Sequence, residues 1–186
     1  MRRAVATRPG SYLRKPAEQD GREFIDRVLA SRNHLEPFVF APDSVSAYRS
    51  WLARGRRGEV EQFLVCVRGA DDIAGFVTLN NITGGALQSA AIGWAGFRPH
   101  LGAGHLTAGV SMVLELAFTQ IRLHRVEANI QPQNTRSRVL ATRTGFHLEG
   151  FSPRYLHIGG DWRDHERWAV LTENWRADPA RRGGRP

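Results

Sequence analysis

The stretch Arg98-Pro-His-Leu-Gly-Ala-Gly-His-Leu106 has the residue types of an anion cradle. It follows Ser89 to Phe97, a small and apolar run that reads as a buried strand. It precedes a segment, Leu106 to Ile121, whose apolar residues Val110, Val113, Leu114, Ala117, Phe118 and Ile121 recur at the spacing of one helix face. The glycines of Gly102-Ala103-Gly104 therefore fall where a strand hands over to a helix. A helix N-terminus offers unpaired N–H groups and the positive end of the dipole, and glycine lets a ligand approach the backbone closely. Together these suit a phosphate or pyrophosphate, although the same triplet also serves a purely structural turn. No Gly-Lys-Ser/Thr follows, so this is not a P-loop, and the third glycine of a dinucleotide fingerprint is missing.

Other residues could move protons. Glu127 and Asn129 share one face of a short alternating strand, Arg125–Ile130. A carboxylate there can pass a proton through water, or it can simply pair with an arginine. His34 and His147 are further candidates for a base, and each also reads as an ordinary surface or core histidine. Asp164 and His165 are adjacent on a strand and point to opposite faces, so they read as structural residues or as the rim of a substrate site. No cluster has metal-ligand spacing, and no Ser-His-Asp arrangement is suggested.

Elements must hold these groups in place. The 186 residues suit one domain, and no apolar run reaches the ~18 residues of a membrane helix. Met1-Arg-Arg-Ala lacks the apolar core of a secretory signal, and the single cysteine, Cys66, reads as a buried core thiol. A cytoplasmic setting is expected. The formal charge is +8, carried almost wholly by arginine, with Lys15 the single lysine. Such a surface suits an acidic ligand, a nucleotide or a ribonucleoprotein neighbour. Residues 1–9 read as a flexible lead, residues 10–175 as one domain, and residues 176–186 as a basic, disordered tail.

Within the domain, Ser11–Arg14 is strand-like. Asp20-Gly-Arg-Glu23 reads as a capping box for a helix with Phe24, Ile25, Val28 and Leu29 on one face, and Asp43 as the cap of a second helix. Strands follow at Gln62–Arg68, Ile73–Asn80 and Ala90–Phe97, the first two joined by a Gly69–Asp72 hairpin. After the cradle helix and Arg125–Ile130, a helix opens at Asn134 and closes at Gly145. Phe146–Gly150, Arg154–Ile158 and Arg167–Leu171 complete the strands, with Gly159-Gly160-Asp161 as the last turn. The order is that of an α+β domain with a mixed, mostly antiparallel central sheet flanked by helices.

This order resembles the GCN5-related N-acetyltransferases, and within them the ribosomal-protein alanine N-acetyltransferases of the RimJ type. The likeness runs from about residue 11 to residue 175. Its most specific parts are His124-Arg-Val-Glu-Ala-Asn-Ile-Gln-Pro-Gln-Asn134, Ser137, Thr144-Gly-Phe-His-Leu-Glu-Gly150 and Tyr155-Leu-His-Ile-Gly-Gly-Asp-Trp-Arg-Asp-His165. The cradle departs from the family pattern: Pro99 stands where relatives carry Gln or Arg, which removes one backbone donor.

The resemblance implies acetyl-CoA as co-substrate and a sheet splayed at its binding site. It places the backbone of Leu101, Gly102, Ala103, Gly104 and His105 on the pyrophosphate, and Ala95 to Phe97 beside the pantetheine arm as an extra strand. Asn134 and Ser137 would face the thioester. Tyr155 and Ser137 become the candidates for donating a proton to the departing sulfur, and Glu127 the candidate base; the last strands would splay to open the acyl slot. Arg136, Arg138 and Arg154 would lie near cofactor phosphates or an acidic substrate. The expected reaction is direct acetyl transfer to a primary amine, without an acyl-enzyme and without a metal. The favoured acceptor is a protein N-terminus, with ribosome association, in a monomer or homodimer. The alternatives are a small-amine acetyltransferase and a non-catalytic acyl-CoA-binding protein associated with ribosomes or RNA.

Overall fold

The structure, a computed structural model, describes residues 3–58 and 60–177. It is built on an eight-stranded sheet in the order β1-β2-β3-β4-β5-β6-β8-β7. The strands are β1 (Ala6–Arg8), β2 (Ser11–Arg14), β3 (Val60–Val67), β4 (Ile73–Thr83), β5 (Ser89–Gly96), β6 (Arg125–Ile130), β7 (His147–Ile158) and β8 (Asp161–Leu171). Helices α1 (Gly21–Leu35) and α2 (Val45–Arg56) precede β3, α3 (His105–Thr119) links β5 to β6, α4 (Thr135–Arg143) links β6 to β7, and α5 (Thr172–Ala177) ends the described chain. All neighbours in the sheet are antiparallel except β5 and β6.

Alternation along the strands builds two cores. One face carries Leu13, Val65, Val77, Ile92, Trp94, Val126, Ala128 and Trp168 against α3. That helix is apolar nearly all round, and each of its residues from Gly109 to Phe118 except Glu115 is buried. Gly109 permits the close approach, since a Cβ there would lie 2.4 Å from Val65 Cγ2. The other face carries Tyr12, Leu64, Phe76, Ala95 and Phe97 against α1 and α2. Phe24 of α1 stacks on Trp51 at 5.3 Å and meets Phe97 edge-on, also at 5.3 Å. These two helices cover β2 to β5 and leave the face of β6, β8 and β7 open.

Several local expectations need correction. Ala6–Arg8, read as part of a flexible lead, pairs with Ser11–Leu13. Asp20 makes no side-chain cap on α1. Its carboxylate instead accepts from buried Arg14 at 2.7 Å and from the Ala17 N–H. Glu23 receives the Ile73 N–H rather than closing a capping box. Ser44, not Asp43, caps α2, while Asp43 pairs with Arg32. The two short strands expected at 146–158 are one strand. Irregularities in its pairing with β8 absorb Pro153, which has no N–H for the ladder, and Arg154, which takes a φ of 46°. Of the expected disordered tail 176–186, Arg176 and Ala177 instead end helix α5, and residues 178–186 lie outside the described residues.

Candidate active site

The cradle lies between β5 and α3. Gly102 and Gly104 take φ values of 79° and 83°, and a Cβ on either would meet nothing within 4 Å. Gly104 is the N-cap of α3 and supplies no side-chain cap. The first helical N–H groups therefore face open space with the positive end of the dipole behind them, which is the chemistry a pyrophosphate needs. His105 opens the helix, its Nδ1 2.8 Å from Ser11 Oγ.

Beside the cradle the sheet opens. β5 and β6 pair over only Ser89–Ala91 with Arg125–Glu127, and beyond these residues they part. A cavity of about 320 Å³ lies here, lined by Ala95, Gly96, Leu106, Asn134, Ser137 and the end of α1. Two expectations change at this point. The Phe97 N–H is bonded to Ala74 O at 2.8 Å, and the Phe97 carbonyl accepts from His100 N at 3.0 Å. In an antiparallel pair the backbone groups alternate in direction, so Ala95, opposite Phe76, also turns toward β4. The groups that turn toward the cleft belong to Trp94 and Gly96, not to Ala95 and Phe97. The parting strands are also β5 and β6, whereas the strand containing residues 146–150 pairs with β8 at the sheet edge.

At the mouth of the opening, Asn134 Oδ1 accepts the Ser137 N–H at 3.1 Å and caps α4. Trp94 Nε1 donates to Ser137 Oγ at 3.2 Å, so the hydroxyl is held by the indole while its own proton stays available. Arg136 donates to His34 Nδ1, linking the start of α4 to the end of α1 across the cleft. Burial first, then the nearby Arg136 and Arg98 charges, hold the His34 imidazole below its ordinary pKa.

Through this opening lies a second cavity of about 490 Å³, on the open sheet face. The two share Phe38, Val39, Trp94, Asn134 and Ser137. Its floor is set by register. Glu127 lies opposite Ala169 and Asn129 opposite Arg167, so Glu127, Asn129 and Arg167 share one face, and His165 joins them two residues along β8. An irregularity in β4 between Asn80 and Thr83, with Asn81 at a φ of 53°, sends both asparagines into the same cavity. Tyr155 lies in the corresponding break of β7, with the Arg167 guanidinium 4.5 Å from its ring centre and the His165 ring edge-on at 6.1 Å.

The charged groups are closely paired. Glu127 accepts from Arg125 Nε at 2.7 Å and from Arg167 at 2.9 Å. Burial raises its pKa, and the two guanidiniums outweigh that and hold it below the ordinary value. A carboxylate so committed is a poor base, which favours the salt-bridge reading. Arg125 also forks onto Glu149. Arg138 pairs with Glu166 at 3.0 Å, the backbone N–H of Arg154 donates to Asp164 at 2.7 Å, and neither residue lines either cavity.

Sequence reasoning undervalued His165. It is 2% exposed, lines the second cavity, and has its Nδ1 2.9 Å from the Arg163 carbonyl. Burial is the main influence on its pKa and lowers it, so the fold favours the neutral ring. The Trp94–Ser137 bond and Gln131 were also missed. Gln131 is 6% exposed and its Nε2 has no partner, as is true of Asn129 Oδ1. An odd-numbered polar series, Glu127, Asn129 and Gln131, running past the end of β6 is the signal that could have found the last of these.

The fold, the uncapped helix beside a parted parallel pair and the two joined cavities define a class. Residues 12–147 match the family model for an acetyltransferase (GNAT) domain. The chain is 36% identical over 169 residues to the probable N-acetyltransferase YjcK of Bacillus subtilis, covering 87% of this chain and 93% of that one. It is 27% identical over 166 residues to the ribosomal protein uS5 alanine N-acetyltransferase of Escherichia coli, covering 85% and 86%. The solved structure of Mycobacterium smegmatis RimJ in complex with CoA-disulfide matches with a TM-score of 0.79 at 33% identity, over 88% of this chain and 82% of that one. The chain belongs to the GNAT family and is an N-acetyltransferase. No helix among the described residues is long and apolar enough to cross a membrane.

Proposed function

We propose that the chain moves the acetyl group of acetyl-CoA to the N-terminal α-amine of a protein, a ribosomal protein being the favoured acceptor. The observation that carries the reading is the charge of the second cavity. Glu127 is the single carboxylate among its described lining residues, and two arginines already neutralise it. A polyamine carries several cations and needs uncompensated acid to bind; a peptide end brings one ammonium followed by neutral amide groups. Asn80, Asn81, Asn129 and Gln131 line this cavity with side-chain amides, which suit a peptide backbone. The uS5-specific relative and the net charge of +8 favour an acceptor from a ribonucleoprotein setting.

The cradle and the first cavity suit the donor. Gly102 and Gly104 let the α3 N–H groups reach a pyrophosphate, and the Trp94 and Gly96 backbone can extend the sheet onto the pantetheine arm. When bound, acetyl-CoA supplies an activated thioester. Ser137 and Tyr155 then serve as the hydroxyls nearest the thiol, and Asn134 fixes the helix end that presents Ser137. Incubation with acetyl-CoA and parallel panels of N-terminal peptides and polyamines, read by mass spectrometry, tests the reading. Acetylated peptide α-amines are expected, and acetylation confined to polyamines would overturn it.

A further inference from the structure

We propose that His165 is the general base that takes the proton from the acceptor ammonium. Among the described residues lining the acceptor cavity, three have titratable side chains: Glu127, Tyr155 and His165. Glu127 is committed to Arg125 and Arg167. Tyr155 carries a phenol, better suited to giving a proton than to taking one. That leaves the imidazole.

The geometry around the ring fixes its tautomer. A backbone carbonyl can only accept, so the 2.9 Å contact with Arg163 O requires the proton on Nδ1. In the neutral ring the lone pair is then on Nε2. The edge-on Tyr155 ring packs against the imidazole and the residue is 2% exposed, so its orientation is held by packing as well as by the hydrogen bond. The groups around it are Tyr155 from β7, Arg163, Asp164 and Arg167 from β8, and Glu127 from β6 through Arg167. Asn129 and Gln131 line the same cavity, and Asn129 Oδ1 and Gln131 Nε2 are buried without a hydrogen-bond partner.

The step balances as follows. His165 Nε2 takes one proton from the ammonium, and the freed nitrogen lone pair forms the C–N bond to the acetyl carbonyl carbon. The C–S bond breaks with its electron pair on sulfur. Sulfur receives a proton from the Ser137 or Tyr155 hydroxyl, which is replaced by the proton that the new amide nitrogen sheds. The products are an acetamide, a free thiol and an imidazolium, which returns its proton to solvent.

His165→Asn is the test, because its amide N–H can keep the bond to Arg163 O while the base is lost. We expect kcat/KM to fall at least about 100-fold and the acid limb of its pH profile to vanish, with acetyl-CoA affinity by calorimetry unchanged. A variant with the wild-type rate and acid limb overturns the assignment. Should His165→Asn not fold, the wild type decides: the acid limb must share its midpoint with an imidazole followed by NMR titration, and a limb matched by no imidazole overturns the assignment. The inference rests on the second cavity being the acceptor site. If the wild type acetylates polyamines and not peptides, the acceptor reading fails, and the same His165 comparison is made with the polyamine.

Discussion

Proton traffic at single residues divides between groups that are tied and groups that are not. Glu127 is tied, so Glu127→Gln should act on stability more than on chemistry. Weakened hydrogen bonds between charged groups cost about 1.5–3 kcal/mol, readable as a lower denaturation midpoint in urea. The pH profile of kcat/KM should keep its shape; loss of its acid limb would return Glu127 to the mechanism. Tyr155 and Ser137 are less constrained. Tyr155→Phe keeps the ring under Arg167 and removes the hydroxyl, so kcat should fall with little change in KM for acetyl-CoA, the pattern of an interaction made in the transition state. Ser137→Ala leaves the Trp94 indole N–H without its acceptor and should also lower kcat. If both hydroxyls serve the same sulfur, the double variant will lose less than the product of the single losses. Steady-state kinetics of the three proteins measures this, and full activity in Tyr155→Phe would remove the phenol from the reaction.

Among the elements, the ends of α3 and α4 do the positioning. Gly104 is left-handed, a conformation that costs an L-residue roughly 1–2 kcal/mol. Gly104→Val adds a branched side chain where the pyrophosphate must approach, and acetyl-CoA affinity should drop more than 10-fold in a protein that still unfolds cooperatively. Unchanged affinity by calorimetry would mean that the cradle is only a turn. Asn134→Ala should remove about 1 kcal/mol of capping and lower Tm by about 2–4 °C. A raised KM for acetyl-CoA would show that Asn134 also meets the cofactor. The α3 end was readable because strand, glycines and helix follow one another along the chain. The parting of β5 from β6 was not, because it depends on two strands separated by all of α3. Likewise Ala95 and Phe97 stand on the expected strand, yet which backbone groups turn outward is set by pairing with Ala74 and Phe76, which no local pattern encodes.

Across the whole molecule, the order of apolar strand-like runs and helix-periodic segments was enough to anticipate a mixed sheet with helices on its faces, since period and turn residues are local. His165 was read as structural or as rim because a strand residue has no address until its neighbours are known. Its place beside Tyr155 and Arg167 comes from the β7–β8 and β6–β8 registers. These placements also set the response to acid. His34 and His165 have lowered pKa values in the fold, so the unfolded chain takes up protons first as pH falls below about 6.5. Stability should therefore decline from there toward the folded values. The slope is at most about 1.4 kcal/mol per pH unit for each histidine, and less for half-buried His34, where solvent screens the charge. Glu127 and Glu149 are lowered by their arginines, so their contribution is complete above about 4.5 and is lost as pH falls through their folded values. At the alkaline end, burial pushes the Cys66 thiol up to about 11 from 9.0, so its contribution is lost as pH rises through that range. Urea denaturation between pH 5 and 7 tests the histidine arm directly. The wild-type midpoint should fall on acidification, and His165→Asn should flatten that fall while His34→Gln flattens it less. A wild-type midpoint constant over this range would mean that neither imidazole is held neutral by the fold.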